Sequence, residues 1–324
     1  MIIRQMLVSS IAAVLGATLA ANAQSFPNRP IRLIVAFPPG GATDVIARTV
    51  GTPLGARLGQ NVVVDNRPGS NGNIAAELAA NAKPDGHTLM LGSDSLFGVN
   101  PHLYRRMPVD PHKAFVPVTN FVTNQLLLAV NPEKAPVKDF KGFIELARKA
   151  NPPLFYASIG NGSQHHIAME MLKRTAKINL THVPYKGGGP AGIATVSGET
   201  AVMFGGGSVV PLARSGKLRA LAVSSSKRSP VVPELPTIGE FYPGYEVTIW
   251  QGLFAPVGTP QDVIDKLRTE VQAVLKMPDV ARKLIDSGSG EPSIVTTEEF
   301  IAMIKRDYDR YGKAIKDAGI KVDN

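Results

Sequence analysis

Short apolar runs and longer patterned segments alternate along most of this 324-residue chain. Residues 33–37 (LIVAF) are continuously apolar, as in a strand buried on both faces. Pro38 and Pro39 end the run, and Gly40-Gly41 permit a tight turn. Thr43 and Asp44 suit a helix start, and Val45, Ile46 and Val50 give that helix an apolar face. It is expected to run to Leu58, with Gly59 as its stop and Pro53 kinking or shortening it. NVVVD and HTLMLGS read as further strands, with the turn NRPGSNG and the helix NIAAELAANA between them. AFVPVTNFV and QLLLAV read as strands crossing toward a second lobe, and DFKGFIELARKA as an amphipathic helix with Asp139 near its start.

A second alternating series follows: LFYASIG, QHHIAMEMLKRTA, NLTHVPY, PAGIATVSG, AVMFGG, VVPLARSG and LRALAVS, strand and helix in turn. SKRSPVVPELPTIGEFYPGYE is rich in Pro and Gly and is predicted to lead back to the first lobe. Two closing helices are expected on the surface of the first lobe. One has Thr259 as N-cap and Pro260 at its first position, and the other ends at Gly319. Alternation of this kind argues for α/β architecture. About 300 residues exceed one ordinary core, so two domains are expected.

The N-terminus changes the picture of location. Arg4, an apolar stretch at 7–20 and Ala21-Asn22-Ala23 read as a secretory signal peptide cut before Gln24. Its apolar core is shorter than the roughly 20 residues of a spanning helix. The chain has no cysteine, which removes lipidation, disulfides and thiolate chemistry. A free exported chain of this kind suits a bacterial periplasm. The net charge is +9, but the basic residues are scattered and aromatics are only 6%, so nucleic acid is excluded as a partner. A positive field of that size favours small anions.

Candidate chemistry centres on glycine loops. Residues 39–44 lack the Lys-Ser/Thr of a phosphate loop and the Gly-x-Gly-x-x-Gly of a dinucleotide site. A second strand–loop–helix unit, FYASIGNGSQHHIAMEM, places Gly160-Asn161-Gly162 before a helix with Ser163 as N-cap. A third loop, YKGGGPA, opens at Tyr185 on the same sheet edge. Two helix N-termini about 120 residues apart, in separate lobes, can receive both ends of a small diacid. Asp44 either contacts such a ligand, directly or through water, or only caps its helix. His165 and His166 are adjacent and point about 100° apart, so they cannot share a metal. Neither metal nor cofactor is expected. Ser163 is the one candidate nucleophile, yet GNGSQ is not the Gly-x-Ser-x-Gly elbow of a hydrolase. Trp250 is a core residue or a cleft wall, with core the expected role.

FPPGGATDVIAR, DNRPGSNGNIAAELAANAKPDGHTLMLGS, SIGNGSQHHIAMEM, THVPYKGGGPA, GKLRALAVSS and WQGLFAPVGTP together resemble the Bug-type substrate-binding receptors of tripartite tricarboxylate transporters. The likeness runs in order from Phe26 nearly to the C-terminus. It implies a two-lobed periplasmic-binding-protein fold of the Venus-flytrap kind, a mainly parallel sheet with flanking helices in each lobe. The lobes would be 24–122 plus 247–324, and 123–246. It also implies a receptor that closes on a small carboxylate, here a di-, tri- or aromatic carboxylic acid, and delivers it to a membrane permease. A monomer is expected, and the alternative, resting on Ser163, is a secreted hydrolase of a small ester or amide. Phe37, Pro39, Gly40, Gly41 and Asp44 would form the first pincer, and Asn161, Gly162, Ser163 and His165 the second. Ser93, Tyr185 and Gly205 complete the expected ligand-binding set. One departure is Gly205-Gly206-Gly207, where the family often has a polar or acidic residue; it predicts a roomier pocket and a ligand without an amine. Another is Ala191-Gly192, where the family has an acid.

Overall fold

The computed structural model describes residues 26–206, 209–229 and 231–320, so the predicted signal segment, its cleavage site and Gly207 lie outside the described residues. The first series of elements is β1 (Ile31–Val35), α1 (Ala42–Leu58), β2 (Val62–Asn66), α2 (Asn73–Ala80) and β3 (Thr88–Ser93). A π-helical turn (Ser95–Val99) and the one-turn helices α3 (Asn100–Leu103) and α4 (Pro111–Ala114) lead to β4 (Phe115–Gln125). Only Leu126 separates β4 from β5 (Leu127–Val130), which already belongs to the other sheet. The second series is α5 (Phe140–Lys149), β6 (Leu154–Ser158), α6 (Gln164–Ala176), β7 (Leu180–Pro184), α7 (Gly188–Val196), β8 (Val202–Gly205), α8 (Val209–Arg214) and β9 (Arg219–Val223). Strand β10 (Thr248–Pro256) returns to the first sheet, followed by α9 (Gln261–Leu275), α10 (Pro278–Asp286), β11 (Glu291–Pro292) and α11 (Thr297–Ala318).

The strands form two sheets, ordered β11-β4-β10-β3-β1-β2 and β7-β6-β8-β5-β9. The expected α/β architecture is present, but the strand directions are more mixed than a mainly parallel sheet. β1 pairs parallel with β2 and β3, and β6 pairs parallel with β7 and β8. β10 runs antiparallel to both β3 and β4, and β5 runs antiparallel to β8 and β9. The physical reason lies in the connections. β4 and β10 carry the chain out of and back into the first sheet, and strands so joined need no helical crossover to lie side by side.

Helices cover both faces of each sheet. On one face of the first, Leu33, Val35, Leu91 and Leu253 meet Ile46 and Val50 of α1 and Leu267 of α9. On the other, Ile34, Trp250, Phe254 and Phe300 form a core with α2 and α11. Each fully buried aromatic or aliphatic side chain there contributes roughly 1.5–3 kcal/mol of transfer free energy. Trp250 is a core residue, and its indole N–H donates to Asp307 Oδ2 at 2.8 Å. The last helix departs from the expectation of a first-lobe surface element. Phe300 and Ile304 pack on the first sheet, whereas Tyr311 and Ile315 join the core of the second.

Local signals behave as their chemistry dictates, with two exceptions. Gly59 and Gly319 end α1 and α11 in the left-handed conformation, and Asp139 caps α5 by accepting the Gly142 N–H. Pro53 does not break α1, which runs through it. Thr259 does not cap α9: its hydroxyl donates to the Pro256 carbonyl at 2.8 Å, and Pro260 takes the cap position.

Candidate functional site

Parallel strands deliver their following loops to one sheet edge. In the first sheet Val35 lies level with Asn66 and Leu91, so the loops after β1, β2 and β3 gather together. In the second, Ser158 lies level with Pro184, and Ala157 with Met203, gathering the loops after β6, β7 and β8. The two edges meet. Ser95, just past β3, donates its hydroxyl to Gln164 Oε1 at 2.7 Å, and Gln164 is the first residue of α6. Both partners are buried, so the start of α6 sits against the first-sheet loops.

In the loop before α1, Gly40 has φ +79° and its N–H donates to Asp44 Oδ2 at 3.0 Å. Asp44 is buried and also accepts from Arg48 Nε and Asn66 Nδ2, each at 3.0 Å. Asn66 in turn donates to the Phe37 carbonyl at 3.0 Å, tying the end of β1 to the loop. The Arg48 guanidinium is the main cause that holds the Asp44 carboxyl down at about 2, with Gly40 and Asn66 adding to it against the opposing cost of burial. Asp44 thus clamps its own loop, and its charge is neutralised locally. Helix geometry leaves the N–H groups of Ala42, Thr43 and Asp44 without intrahelical acceptors.

The loop before α6 repeats the device with different groups. Gly160 and Gly162 have φ +136° and +71°, and Gly162 N–H donates to His166 Nδ1 at 3.1 Å. Ser163 caps the helix as expected, accepting the His166 N–H at 3.3 Å, while its hydroxyl donates to the Gly160 carbonyl at 2.7 Å. The amides left over by helix geometry are those of Gln164 and His165. His165 is buried, its Nδ1 has no hydrogen-bond partner among the described residues, and burial pushes its pKa down to about 4. It is therefore a neutral imidazole with one nitrogen unsatisfied beside the helix start.

The remaining expected residues divide. Ser93 is buried at the end of β3, and Asn161, Pro39 and Gly41 are exposed on the loops. Tyr185 donates its hydroxyl to Glu199 at 2.7 Å at the surface, which raises its pKa to about 12 by burial and by that carboxylate. Gly205 does not widen the pocket: a Cβ there would lie 2.0 Å from Val209 Cγ2, so the glycine serves packing against α8. Asp94, adjacent to Ser93, is fully buried, and neither carboxyl oxygen has a well-formed hydrogen bond among the described residues. Burial, then the nearby Asp307 carboxylate, pushes it well above the usual range, so it is a neutral acid. A cavity of about 790 Å³ lined by Phe97, Tyr104, His112, Phe115 and Tyr308 holds none of the expected site residues. Among the described residues no group of three or more His, Asp or Glu is placed to hold a metal, and no helix is long and apolar enough to cross a membrane.

The model of the tripartite tricarboxylate transporter family receptor matches residues 46–320. The chain belongs to this receptor family. A protein from the tcbD–tcbE intergenic region of Pseudomonas sp. (strain P51) is 38% identical over 307 residues, covering 92% of this chain and 89% of that protein. An R. palustris protein solved with adipate is 34% identical with a TM-score of 0.81, covering 91% of this chain and 99% of that one. MatC of Rhodopseudomonas palustris, solved with bound malate, is 33% identical with a TM-score of 0.77, covering 90% and 100%. Other solved relatives of this receptor include the periplasmic binding protein BugD.

Beyond the residues expected from the sequence, Arg48, Asn66, Gln164 and His166 hold the two candidate loops and the contact between the sheets. Two of them carry a local signal: Asp44–Arg48 and Gly162–His166 are both four residues apart, within reach across one helical turn. Asn66 and Gln164 carry none, because their partners are 22 and 69 residues away.

Proposed function

We propose that this receptor binds a small dicarboxylate without an amino group between the first turns of α1 and α6. It acts in the periplasm after removal of residues 1–23 and passes the ligand to a membrane permease. The lobes divide at about 123 and 247, with α11 spanning both. The observation that supports the reading is the Ser95–Gln164 contact, which puts the start of α6 against the loop after β3, on the sheet edge where the loop before α1 also lies. Each such N-terminus presents first-turn amides and a positive dipole end, suited to one carboxylate apiece. Phe37, Pro39, Gly41, Ser93, Asn161 and His165 are then wall residues, while Gly40, Asp44, Gly162 and Ser163 shape the two loops. The acid of the α1 loop, Asp44, is spent on Gly40, Asn66 and Arg48, and Asp94 past β3 is fully buried and neutral, so neither supplies a free carboxylate to pair with an ammonium. Burying an unpaired ammonium would be costly. The adipate and malate held by two relatives are both diacids lacking an amine.

Binding without turnover is favoured over hydrolysis by the state of the serines. Ser163 gives its proton to a backbone carbonyl rather than to a base. Ser158, 2.7 Å from His182 Nε2, is fully buried and out of reach of a substrate.

A thermal-shift screen with succinate, malate, adipate, citrate and aromatic acids tests the reading against aspartate and glutamate. Ligand at 100 times Kd stabilises by about 2.7 kcal/mol, an easily measured shift. Amine-free acids should raise Tm and the amino diacids should not. Affinity should also fall as pH drops through the ligand's own pKa values near 4. Tight glutamate binding with no response to the other acids would overturn the ligand class. Ester hydrolysis abolished by Ser163→Ala would overturn the receptor reading.

A further inference from the structure

We propose that His166 is the positioning residue of the second loop: by receiving the Gly162 N–H on Nδ1 it fixes which amides of the α6 N-terminus face the ligand carboxylate. The proposal rests on the binding reading above, but its first consequence concerns the loop without ligand. The loop is anchored at both glycines. Gly160 N–H donates to Ser158 Oγ at 3.1 Å, and that oxygen lies 2.7 Å from His182 Nε2. Gly162 N–H donates to His166 Nδ1 at 3.1 Å. The two imidazoles stack on each other, centroids 4.0 Å apart and planes 13° apart, and Tyr156 stacks beneath His182 at 4.8 Å. The backbone from 160 to 162 thus hangs from one aromatic column built by β6, β7 and α6.

An acceptor at Nδ1 requires that nitrogen to be unprotonated, which puts the single ring proton of neutral His166 on Nε2. The groups around it favour the neutral ring. Burial is the largest cause and the neighbouring His182 the next, with Glu170 opposing and Lys173 assisting; together they lower the pKa to about 4. From β6 the facing group is Tyr156, from β7 His182, and from α6 itself Glu170 and Lys173. Glu170 is engaged by the Tyr156 hydroxyl at 2.6 Å and by Lys173 Nζ at 2.7 Å, leaving its charge largely compensated. With Gly162 N–H removed from the cleft by His166 and the His166 N–H removed by Ser163, only the Gln164 and His165 amides remain to meet an anion.

Asparagine is the discriminating replacement, because its Oδ1 is bonded to Cγ as Nδ1 is in histidine. Glutamine carries the same amide one bond further out, and leucine has the branched shape of asparagine with no acceptor. In the ligand-free protein, amide hydrogen exchange at Gly162 should be slowed in the parent and in His166→Asn, and about tenfold faster in His166→Leu, the loss expected for one neutral hydrogen bond. Malate and adipate affinities by calorimetry should stay within about threefold in His166→Asn and fall about tenfold in His166→Leu and His166→Gln. Between pH 7 and pH 4 the parent should lose about twofold in affinity relative to His166→Asn, since the ligand's own titration cancels in that ratio. Equal Gly162 exchange in the parent and His166→Leu would overturn the proposal, as would His166→Asn binding no better than His166→Gln. Should His166→Leu not fold, the asparagine–glutamine pair decides. Should the parent bind no diacid, the ligand reading fails, while the exchange data still decide what holds the loop.

Discussion

In the first glycine loop the Gly40 N–H is received by the carboxylate of Asp44, and in the second the Gly162 N–H is received by the imidazole of His166, each four residues on. The geometry is shared and the chemistry is not. Asp44 stays ionised because Arg48 lies against it with its guanidinium half in solvent. His166 stays neutral because it is buried in an aromatic stack. A loop of this shape therefore needs an acceptor at the fourth position, and charge is optional. What the choice of acceptor sets is the pH at which the lock opens. It also keeps both loops free of net negative charge where an anion is to bind.

Acid should separate the two loops most strongly. His165 and His166 titrate at about 4 in the folded protein against an ordinary value of 6.5. Between those values the unfolded chain binds protons that the folded chain refuses. Stability is thus lost as pH falls from about 6.5 to about 4, on the order of 3 kcal/mol for each histidine. Asp44 has the same sign but acts at lower pH, with a folded pKa of about 2 below its ordinary 3.8. Its contribution is intact above 3.8 and is lost only as pH approaches 2. Urea melts from pH 7 to pH 4 should show a steep decline, and hydrogen exchange should quicken at the second loop before the first. A flat profile, or the first loop opening earlier, would erase the distinction.

Removing the acceptor of the first loop comes next. Asp44→Ala strands the Gly40 N–H, the Asn66 amide and the Arg48 guanidinium, and should cost about 2 kcal/mol with weaker diacid binding. Asp44→Asn keeps one acceptor and should cost less in thermal melts. Equal losses would mean that pairing with Arg48, not reception of the Gly40 N–H, is what matters.

Gly40→Ala and Gly162→Ala probe the shared backbone shape. Both glycines have positive φ, +79° and +71°, which costs an L-residue roughly 1–2 kcal/mol. A Cβ at Gly40 meets nothing within 4 Å, so its cost is conformational alone. Denaturation midpoints should shift by similar amounts; a much larger shift at Gly162 would reveal a steric demand that the first loop lacks.

The smallest effect is expected from Arg48→Gln. Its half-exposed ion pair should be worth less than about 1 kcal/mol, yet its loss should raise the Asp44 pKa measurably by NMR titration. An unmoved Asp44 would show that Gly40 and Asn66 suffice to hold the carboxylate charged.

Several features were legible along the chain because their causes are local. Apolar runs marked the strands, left-handed glycines closed α1 and α11, and Ser163 and Asp139 capped their helices. The two glycine loops were visible for the same reason, since a strand that stops at glycine before a capped helix is written within about ten consecutive residues. Two of the partners of Asp44, Gly40 and Arg48, likewise lie within one turn of it, whereas Asn66 does not. Gly205 misled. Its absence of side chain looked like room in a pocket, and only the position of Val209 on the following helix shows that the space is filled.

The sequence by itself determined the α/β class, most of the strands and helices of both series and the two glycine-loop helix starts, because dihedral preference, capping and apolar periodicity act over a few residues. It did not mark the short α3 and α4, α10 or β11. Tertiary structure alone decided the strand order, with β10 inserted between β3 and β4, and the division of α11 between two cores. It also decided the meeting of Ser95 with Gln164, the stack of His166 on His182, and the burial of Asp94 near Asp307. Those pairs are separated by up to about two hundred residues, and no local preference encodes them. They form because burying the apolar faces of two sheets leaves one arrangement in which their strand ends come together, and the polar groups carried there must then find one another or stay neutral.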